Sequence, residues 1–149
     1  MNQLIMALAT GLYVGKIAKA PGTWGSLAAF VPWFFIKDLP IGTYLLVLVA
    51  VFILGFFVSG SAEKILDSPD AGCIVIDEFL GMFITLMAAP ASPVAWILGF
   101  LLFRLFDILK PFPVSWFDKH IHGGIGIMMD DVMAGIYALV CLQLIWFIF

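Results

Sequence analysis

Charged residues are scarce in this chain: only 11% of its 149 residues are Asp, Glu, Lys or Arg, whereas 64% are hydrophobic. A water-soluble domain of this length needs more polar surface to cover its core. The composition therefore predicts that lipid covers much of the protein. The net charge is −3 and there is no basic run, which argues against nucleic-acid binding. The length allows one domain, residues 1–149, built as a single helical bundle.

Cysteine is scarce as well, and this limits the possible chemistry. Cys73 and Cys141 lie in unrelated contexts, which supports neither a disulfide framework nor a zinc site. No arginine follows Cys73 at the spacing of a thiol phosphatase, so we do not expect it to act as a nucleophile. The apolar stretch 1–11 has no basic segment before it, and we expect it to belong to the mature protein.

Six hydrophobic segments alternate with breaks that contain proline, glycine or charge. They cover residues 4–14, 24–36, 41–59, 74–89, 92–110 and 129–149. Because a helix rises about 1.5 Å per residue and the hydrocarbon core is roughly 30 Å thick, several segments are a little short. The pattern predicts an all-α, polytopic membrane bundle with four to five transmembrane helices. Segments 4–14 and 24–36 are the candidates for short interfacial or re-entrant helices.

The lysines predict the orientation of these segments. If the connections alternate, one side of the membrane carries Lys16, Lys19, Lys64, Lys110 and Lys119, and the other carries only Lys37. Basic residues are enriched in cytoplasmic loops. The side with five lysines is therefore expected to be cytoplasmic.

Five acidic residues fall at the same end of their segments as this lysine-rich side. They are Asp77, Glu78, Asp107, Asp130 and Asp131. A charged side chain in a transmembrane helix costs about 2.5–3.5 kcal/mol at mid-membrane and marks a functional site by default. Asp77 and Asp130 are each followed by small residues at i+4 and i+8, which lets helices approach closely on that face. Both acidic pairs are therefore expected to point into the bundle.

Clustered carboxylates near a water-accessible rim suit Mg²⁺, which prefers oxygen ligands. The expected metal ligands are Asp77, Glu78, Asp130 and Asp131, and one of these or Asp107 is expected to accept a proton. His122, in the glycine-rich loop 119–126, is a further catalytic candidate. The alternative is that the acids form structural ion pairs with Arg104, Lys110 or Lys64, and the pair of Arg104 with Asp107 fits either role.

A phosphate site is expected beside the acids. The stretch 21–26 leads into a helix, so its backbone N–H groups and two hydroxyls lie at a helix N-terminus, where anions bind. The expected substrate-binding residues are Lys16, Thr23, Gly25, Ser26, Arg104 and Lys110. Alternatively, stretch 21–26 is only a helix cap and a packing turn.

Four blocks of sequence together resemble the phosphatidylglycerophosphatase A family. They are Pro-Gly-Thr-Trp-Gly-Ser at 21–26, Ile-Val-Ile-Asp-Glu-Phe-Leu-Gly-Met at 74–82, Phe-Arg-Leu-Phe-Asp-Ile-Leu-Lys-Pro-Phe-Pro at 103–113 and His-Gly-Gly-Ile-Gly-Ile-Met-Met-Asp-Asp-Val-Met-Ala-Gly at 122–135. The resemblance implies a multi-pass enzyme of the bacterial inner membrane that hydrolyses the phospholipid phosphatidylglycerophosphate to phosphatidylglycerol and phosphate with Mg²⁺. His122 would then protonate the leaving glycerol oxygen. The resemblance does not imply which acid has which role.

Two rival functions use the same carboxylates. A small ion or proton transporter also needs intramembrane acids, but it needs polar groups through the depth of the membrane. Segment 41–59 has no charge, which favours a one-sided catalytic pocket. A non-catalytic scaffold subunit would leave the cost of five acids unexplained. The chain also lacks Asp-x-Asp, Cys-x5-Arg and the Asp-Gly-x2-Ala-Arg pattern of CDP-alcohol phosphotransferases.

Overall fold

The computed structural model describes residues 1–148, without the side chains of residues 117 and 118. This part of the chain forms helices and no strand, so the all-α prediction is confirmed. The helices are α1 (Asn2–Ala9), α2 (Pro21–Ala28), α3 (Phe30–Ile36), α4 (Ile41–Leu66), α5 (Ile76–Thr85), α6 (Pro93–Leu109), α7 (Val114–His120) and α8 (Gly123–Ile148), with a 3-10 turn at Val14–Lys16.

Helices α4 and α8 are long and apolar enough to cross a membrane. Each has 26 residues, with a mean hydropathy of 2.7 for the most apolar window of α4 and 1.9 for that of α8. Only 17% and 28% of these windows are buried inside the chain, so most of their apolar side chains face outward, as lipid-facing side chains do. These two helices indicate membrane association. Among the described residues no other helix meets the same criteria, and the expected four to five crossings are not confirmed.

Helix α5 forms the centre of the bundle. It packs against α2, α4, α6 and α8, and eight of its ten residues are buried. At about 1.5 Å per residue its length is roughly 15 Å, half of a hydrocarbon core. The helix is shorter than the predicted segment 74–89. The chain leaves helical geometry after Thr85, and Ala88 adopts a φ of 57°.

Glycines bring α8 into backbone contact with its neighbours. A Cβ atom on Gly135 would lie 2.7 Å from the carbonyl oxygen of Gly81 in α5, and one on Gly124 would collide with the carbonyl oxygen of Phe56 in α4. Small residues allow this close approach in membrane bundles. The inward-facing stripes that the sequence predicts on α5 and α8 are present, because Gly81 and Thr85 of α5 and Ala134 and Ala138 of α8 are buried.

Several boundaries differ from the predicted segments. α8 begins at Gly123 rather than at residue 129, because the glycines interpreted as a loop are helical residues, of which Gly124 packs against α4 and Gly126 against Ile121. Segment 24–36 begins instead at Pro21 and is divided between α2 and α3, and α7 was not predicted. The predicted end of the last segment, Phe149, lies outside the described residues.

Candidate active site

Three carboxylates from two helices meet in the interior of the bundle. Asp77 and Glu78 belong to the first turn of α5, and Asp131 belongs to α8. Their ligand oxygens all lie within 4.8 Å of one another. We call this group the acidic triad. Its proximity follows from the helix contact described above, because Gly81 and Gly135 lie one turn after Asp77 and Asp131.

Each member of the acidic triad carries a buried oxygen that lacks a hydrogen bond within the described part of the chain. These atoms are Oδ1 of Asp77, Oε2 of Glu78 and Oδ2 of Asp131. Burying a carboxylate without compensation costs several kcal/mol. A divalent cation compensates such a group, and Mg²⁺ takes oxygen ligands of this kind. The donor set therefore fits the expected metal.

Arg104 in α6 lies beside the acidic triad. Its Nη1 atom donates a hydrogen bond to Asp107 and lies 4.0 Å from Oε1 of Glu78. The same atom reaches the hydroxyl oxygen of Ser26 at 3.5 Å. The Nη1 atom of Arg104 therefore lies between the Asp107 carboxylate and Glu78 of the triad. Arg104 thus offsets part of the negative charge, while its buried Nε atom has no hydrogen-bond partner among the described residues.

Stretch 21–26, at the start of α2, packs directly on Arg104 and on the triad. A Cβ atom on Gly22 would collide with Oε1 of Glu78 and lie 3.1 Å from Nη1 of Arg104. The hydroxyl of Ser26 is fully buried and donates to the carbonyl of Gly22 at 2.8 Å. Ser26 therefore lies at the site, where it contacts Arg104, whereas Gly25 is buried against Val75. Substrate binding by both residues stays a prediction.

The predicted phosphate cradle is occupied in part by helix hydrogen bonds. The N–H groups of Thr23 and Trp24 both donate to the carbonyl of Ala20, at 3.0 and 3.3 Å, because α2 begins earlier than expected. Thr23 is partly buried in the first turn of α2. Its role in substrate binding stays a prediction.

Asp130 has a different environment from its neighbour Asp131. Its Oδ2 atom accepts a hydrogen bond from Nζ of Lys110 at 2.8 Å, and it is not a member of the acidic triad. Asp130 and His122 both line a small cavity of about 80 Å³ near the start of α8. Lys16 is exposed, and its ammonium group lies 4.9 Å from the ring centroid of Tyr13. Metal binding by Asp130 and the roles of His122 and Lys16 stay predictions.

Gly22 is the residue at this site that sequence reasoning missed. It lies within stretch 21–26, and a glycine within a helix is itself a signal, because glycine is about 1 kcal/mol less favourable than alanine in a helix interior. The structure supplies the reason, since no side chain fits between α2 and the pair of Glu78 and Arg104.

Fold and site together define a membrane-associated helical protein in which a buried acidic triad, able to hold a divalent cation, lies beside a buried arginine. The family model of phosphatidylglycerophosphatase A matches residues 7–146. The chain belongs to this family and is a phosphatase.

Three relatives support the assignment. Phosphatidylglycerophosphatase A of Escherichia coli strain K12 is 44% identical over 87% of this chain and 76% of its own length. The enzyme of the same name from Haemophilus influenzae is 44% identical over 91% of this chain and 85% of its own. A Bacteroides thetaiotaomicron protein, provisionally named a phosphatidylinositol-3-phosphatase, is 37% identical over 92% and 90%. No solved structure matches the chain.

Proposed function

We propose that this protein hydrolyses phosphatidylglycerophosphate to phosphatidylglycerol and inorganic phosphate, with Mg²⁺, at the cytoplasmic face of a bacterial inner membrane. The observation that carries the proposal is the acidic triad with its three unpaired oxygens beside Arg104. The named relatives at 44% identity support the substrate.

Asp77, Glu78 and Asp131 would hold the metal. When bound, Mg²⁺ neutralises phosphate charge and makes water a better nucleophile. Asp130, pairing with Lys110 one residue from Asp131, is a candidate fourth ligand or a support for the site. The three triad residues come from two helices that touch through glycine backbone, so their spacing is held by rigid elements.

Arg104 binds and orients the phosphoryl group in this mechanism. Its Nε atom is buried and unpartnered within the described chain, and Asp107 and Ser26 hold the guanidinium in place. A positioned guanidinium donates charge-assisted hydrogen bonds to phosphate oxygens and stabilises charge that develops during transfer. Lys110 contributes positive charge on the Asp130 side.

Asp107 is the group that we assign to accept the proton of the attacking water. Its carboxylate binds the same Nη1 atom of Arg104 that lies 4.0 Å from Glu78, so it borders both the proposed phosphate site and the triad. A general base must reach the proton that it removes. His122 is the candidate donor to the leaving glycerol oxygen, from the cavity that it shares with Asp130.

The membrane arrangement forms part of the proposal. Helix α6 has 17 residues, roughly 26 Å at about 1.5 Å per residue, and we place it across the membrane with α4 and α8. The chain returns across the membrane between α4 and α6 through α5 and residues 86–92, so that Lys64 and Lys110 lie on one side. The α2–α3 pair supplies the remaining crossing, and α1 lies at the interface. In a variant without native cysteines, an impermeant maleimide should label a cysteine at position 37 from outside intact cells and one at position 119 only after lysis.

Phosphate release by the purified protein in detergent tests the function. Activity on phosphatidylglycerophosphate should be lost with EDTA and return with Mg²⁺. Since outer-shell changes at metal sites cost about 10- to 100-fold, loss of a ligand in Asp77→Asn should cost more than 100-fold. Asp38→Asn is the matched control, because Asp38 is exposed and pairs with Lys37 away from the triad. Near-normal turnover in Asp77→Asn would refute the metal assignment.

A second substrate tests the headgroup. Phosphatidylinositol 3-phosphate is the relevant competitor, because the Bacteroides relative carries the name of a phosphatase for that lipid. We expect the higher kcat/KM with phosphatidylglycerophosphate, and the reverse order would overturn the proposed substrate. A transporter would release no phosphate from either lipid.

A further inference from the structure

A large apolar groove lies on the side of α5 that faces away from the acidic triad. It encloses about 640 Å³, within the range of roughly 300–1,000 Å³ that small-molecule sites occupy. Four elements line it: α1, the α2–α3 pair, α4 and α5. Its lining is almost entirely apolar and includes Leu8, Ala28, Val31, Phe35, Ile76 and Phe83.

The groove and the site lie on opposite sides of α5, which forms a wall of both. Ile76 and Phe79 line the groove, whereas the two residues between them, Asp77 and Glu78, belong to the acidic triad. The same short helix therefore presents acids to one side and the groove to the other. The α2 helix repeats this arrangement, because Ala28 lines the groove and Ser26, one half-turn earlier, contacts Arg104.

The groove also has a direction. Along α5 its lining residues are Ile76, Phe79 and Phe83, which recede from the acidic first turn by about 10 Å at 1.5 Å per residue. Along the α2–α3 pair they follow as Ala28, Val31 and Phe35, on successive turns of one face. One end of the groove thus lies at the level of the carboxylates, and the other lies deeper in the apolar bundle.

We propose that this groove binds an acyl chain of the phospholipid substrate, so that the attached headgroup extends past the first turn of α5 to the acidic triad. The proposal rests on the function proposed above and adds the place where the lipid tail binds. A phospholipid has a matching arrangement, because its apolar fatty-acid chain extends away from an anionic headgroup. Lys16, two residues after the groove residue Val14, supplies positive charge near the headgroup end.

The groove acts by alignment rather than by hydrophobic transfer. Lipid tails in the bilayer are as apolar as the groove, so moving a chain between them releases little free energy. Holding the chain in one direction instead limits the positions of the attached phosphate. Misplacement by about 1 Å can cost 100-fold in rate, so occupation of the groove should appear in kcat/KM for the lipid.

Ala28→Phe tests the proposal, because the added ring enters the groove beside the site. Ala50→Phe is the matched control, since Ala50 is an exposed residue of α4 that is not part of the groove lining. Phosphate release is measured for the long-chain lipid and for its deacylated headgroup, glycerophosphoglycerophosphate. We expect Ala28→Phe to lose at least tenfold in kcat/KM on the lipid and to match the wild type on the headgroup. Equal kcat/KM on the lipid in the two variants would overturn the proposal that the groove binds the acyl chain.

A second pair of variants, Val31→Phe and Val94→Phe, tests the proposal if Ala28→Phe does not fold. Val31→Phe adds the same ring at the groove rim, and Val94→Phe adds it on α6; both valines are 67% exposed. Val31→Phe should again lose activity on the lipid but not on the headgroup, and Val94→Phe should lose neither. If wild-type protein releases no phosphate from the lipid, the proposed function fails.

A binding experiment tests the groove independently of the proposed enzyme activity. Phosphatidylglycerol with a photoreactive fatty acid is incorporated into vesicles with the protein, and the crosslinked peptides are mapped. Crosslinks should concentrate in peptides 7–14 and 28–35 and decrease in Val31→Phe. Labelling spread only over the outer surfaces of α4 and α8, or unchanged in Val31→Phe, would overturn the proposal whatever the enzyme activity.

Discussion

The ammonium group of Lys110 lies 2.8 Å from Oδ2 of Asp130, and this ion pair joins the end of α6 to α8. The adjacent residue, Asp131, lies with Asp77 and Glu78 in the acidic triad. Two successive carboxylates in one helix therefore have different partners. Successive helical residues point about 100° apart, so α8 can present one acid to a lysine and the other to α5.

Asp131→Asn and Asp130→Asn form a matched pair that tests this division. Asp131→Asn should lose more than about 100-fold in phosphate release, because a proposed ligand is removed. It should also lose the Mg²⁺-induced rise in the thermal unfolding temperature, since ligand binding to the folded state stabilises it. Asp130→Asn should keep both responses with reduced stability. If both variants need an equally raised Mg²⁺ concentration for half-maximal phosphate release, Asp130 belongs to the metal site.

Gly22→Ala should impair the enzyme although it adds only a methyl group. The new Cβ atom would collide with Glu78 and contact the Arg104 guanidinium, and a shift of about 1 Å in such groups can cost 100-fold in rate. Gly42→Ala is the control, because no atom lies within 4 Å of its added Cβ. Phosphate release is measured for both variants. Equal activity of Gly22→Ala and Gly42→Ala would contradict the close packing of α2 on Glu78.

Arg104→Lys should retain folding but lose activity. Lysine keeps the positive charge between Glu78 and Asp107, yet it lacks the planar fork that binds two oxygens at once. We expect kcat/KM for the lipid to fall by about 10- to 100-fold, or 1.4–2.7 kcal/mol of transition-state stabilisation. Lys37→Arg, at the exposed pair with Asp38, should change nothing. Wild-type kinetics in Arg104→Lys would show that only charge matters at this position.

Gly124→Ala should destabilise the contact between α4 and α8. Its Cβ atom would collide with the carbonyl oxygen of Phe56, whereas a Cβ on Gly60, across the same interface, would meet Gly124 at an ordinary 3.6 Å. Overpacking of this kind costs about 1–3 kcal/mol. Thermal unfolding in detergent should show a lower midpoint for Gly124→Ala and little change for Gly60→Ala. Similar midpoints would contradict the helix contact.

Local pattern was enough to predict the class of fold and the helix faces on which the clustered acids lie. The i, i+4 spacing of Asp77 with Gly81 shows which side of a helix faces a neighbour, because helical periodicity needs only a few consecutive residues. The family blocks likewise identified the chemistry. The same reasoning failed for residues 123–126, where glycines that normally mark loops are helical. Their lack of a side chain allows Gly124 to contact α4 and Gly126 to contact Ile121.

The sequence by itself determined that this is an apolar, all-helical protein whose acids lie on inward faces, since composition and helical period are properties of the chain alone. Only the tertiary structure decided that Asp131 joins Asp77 and Glu78 while Asp130 pairs with Lys110. It also decided that α5 is a short buried helix and that α2 packs on the site through Gly22. These features depend on how helices distant in sequence approach one another, and backbone contacts such as that between Gly81 and Gly135 set that approach.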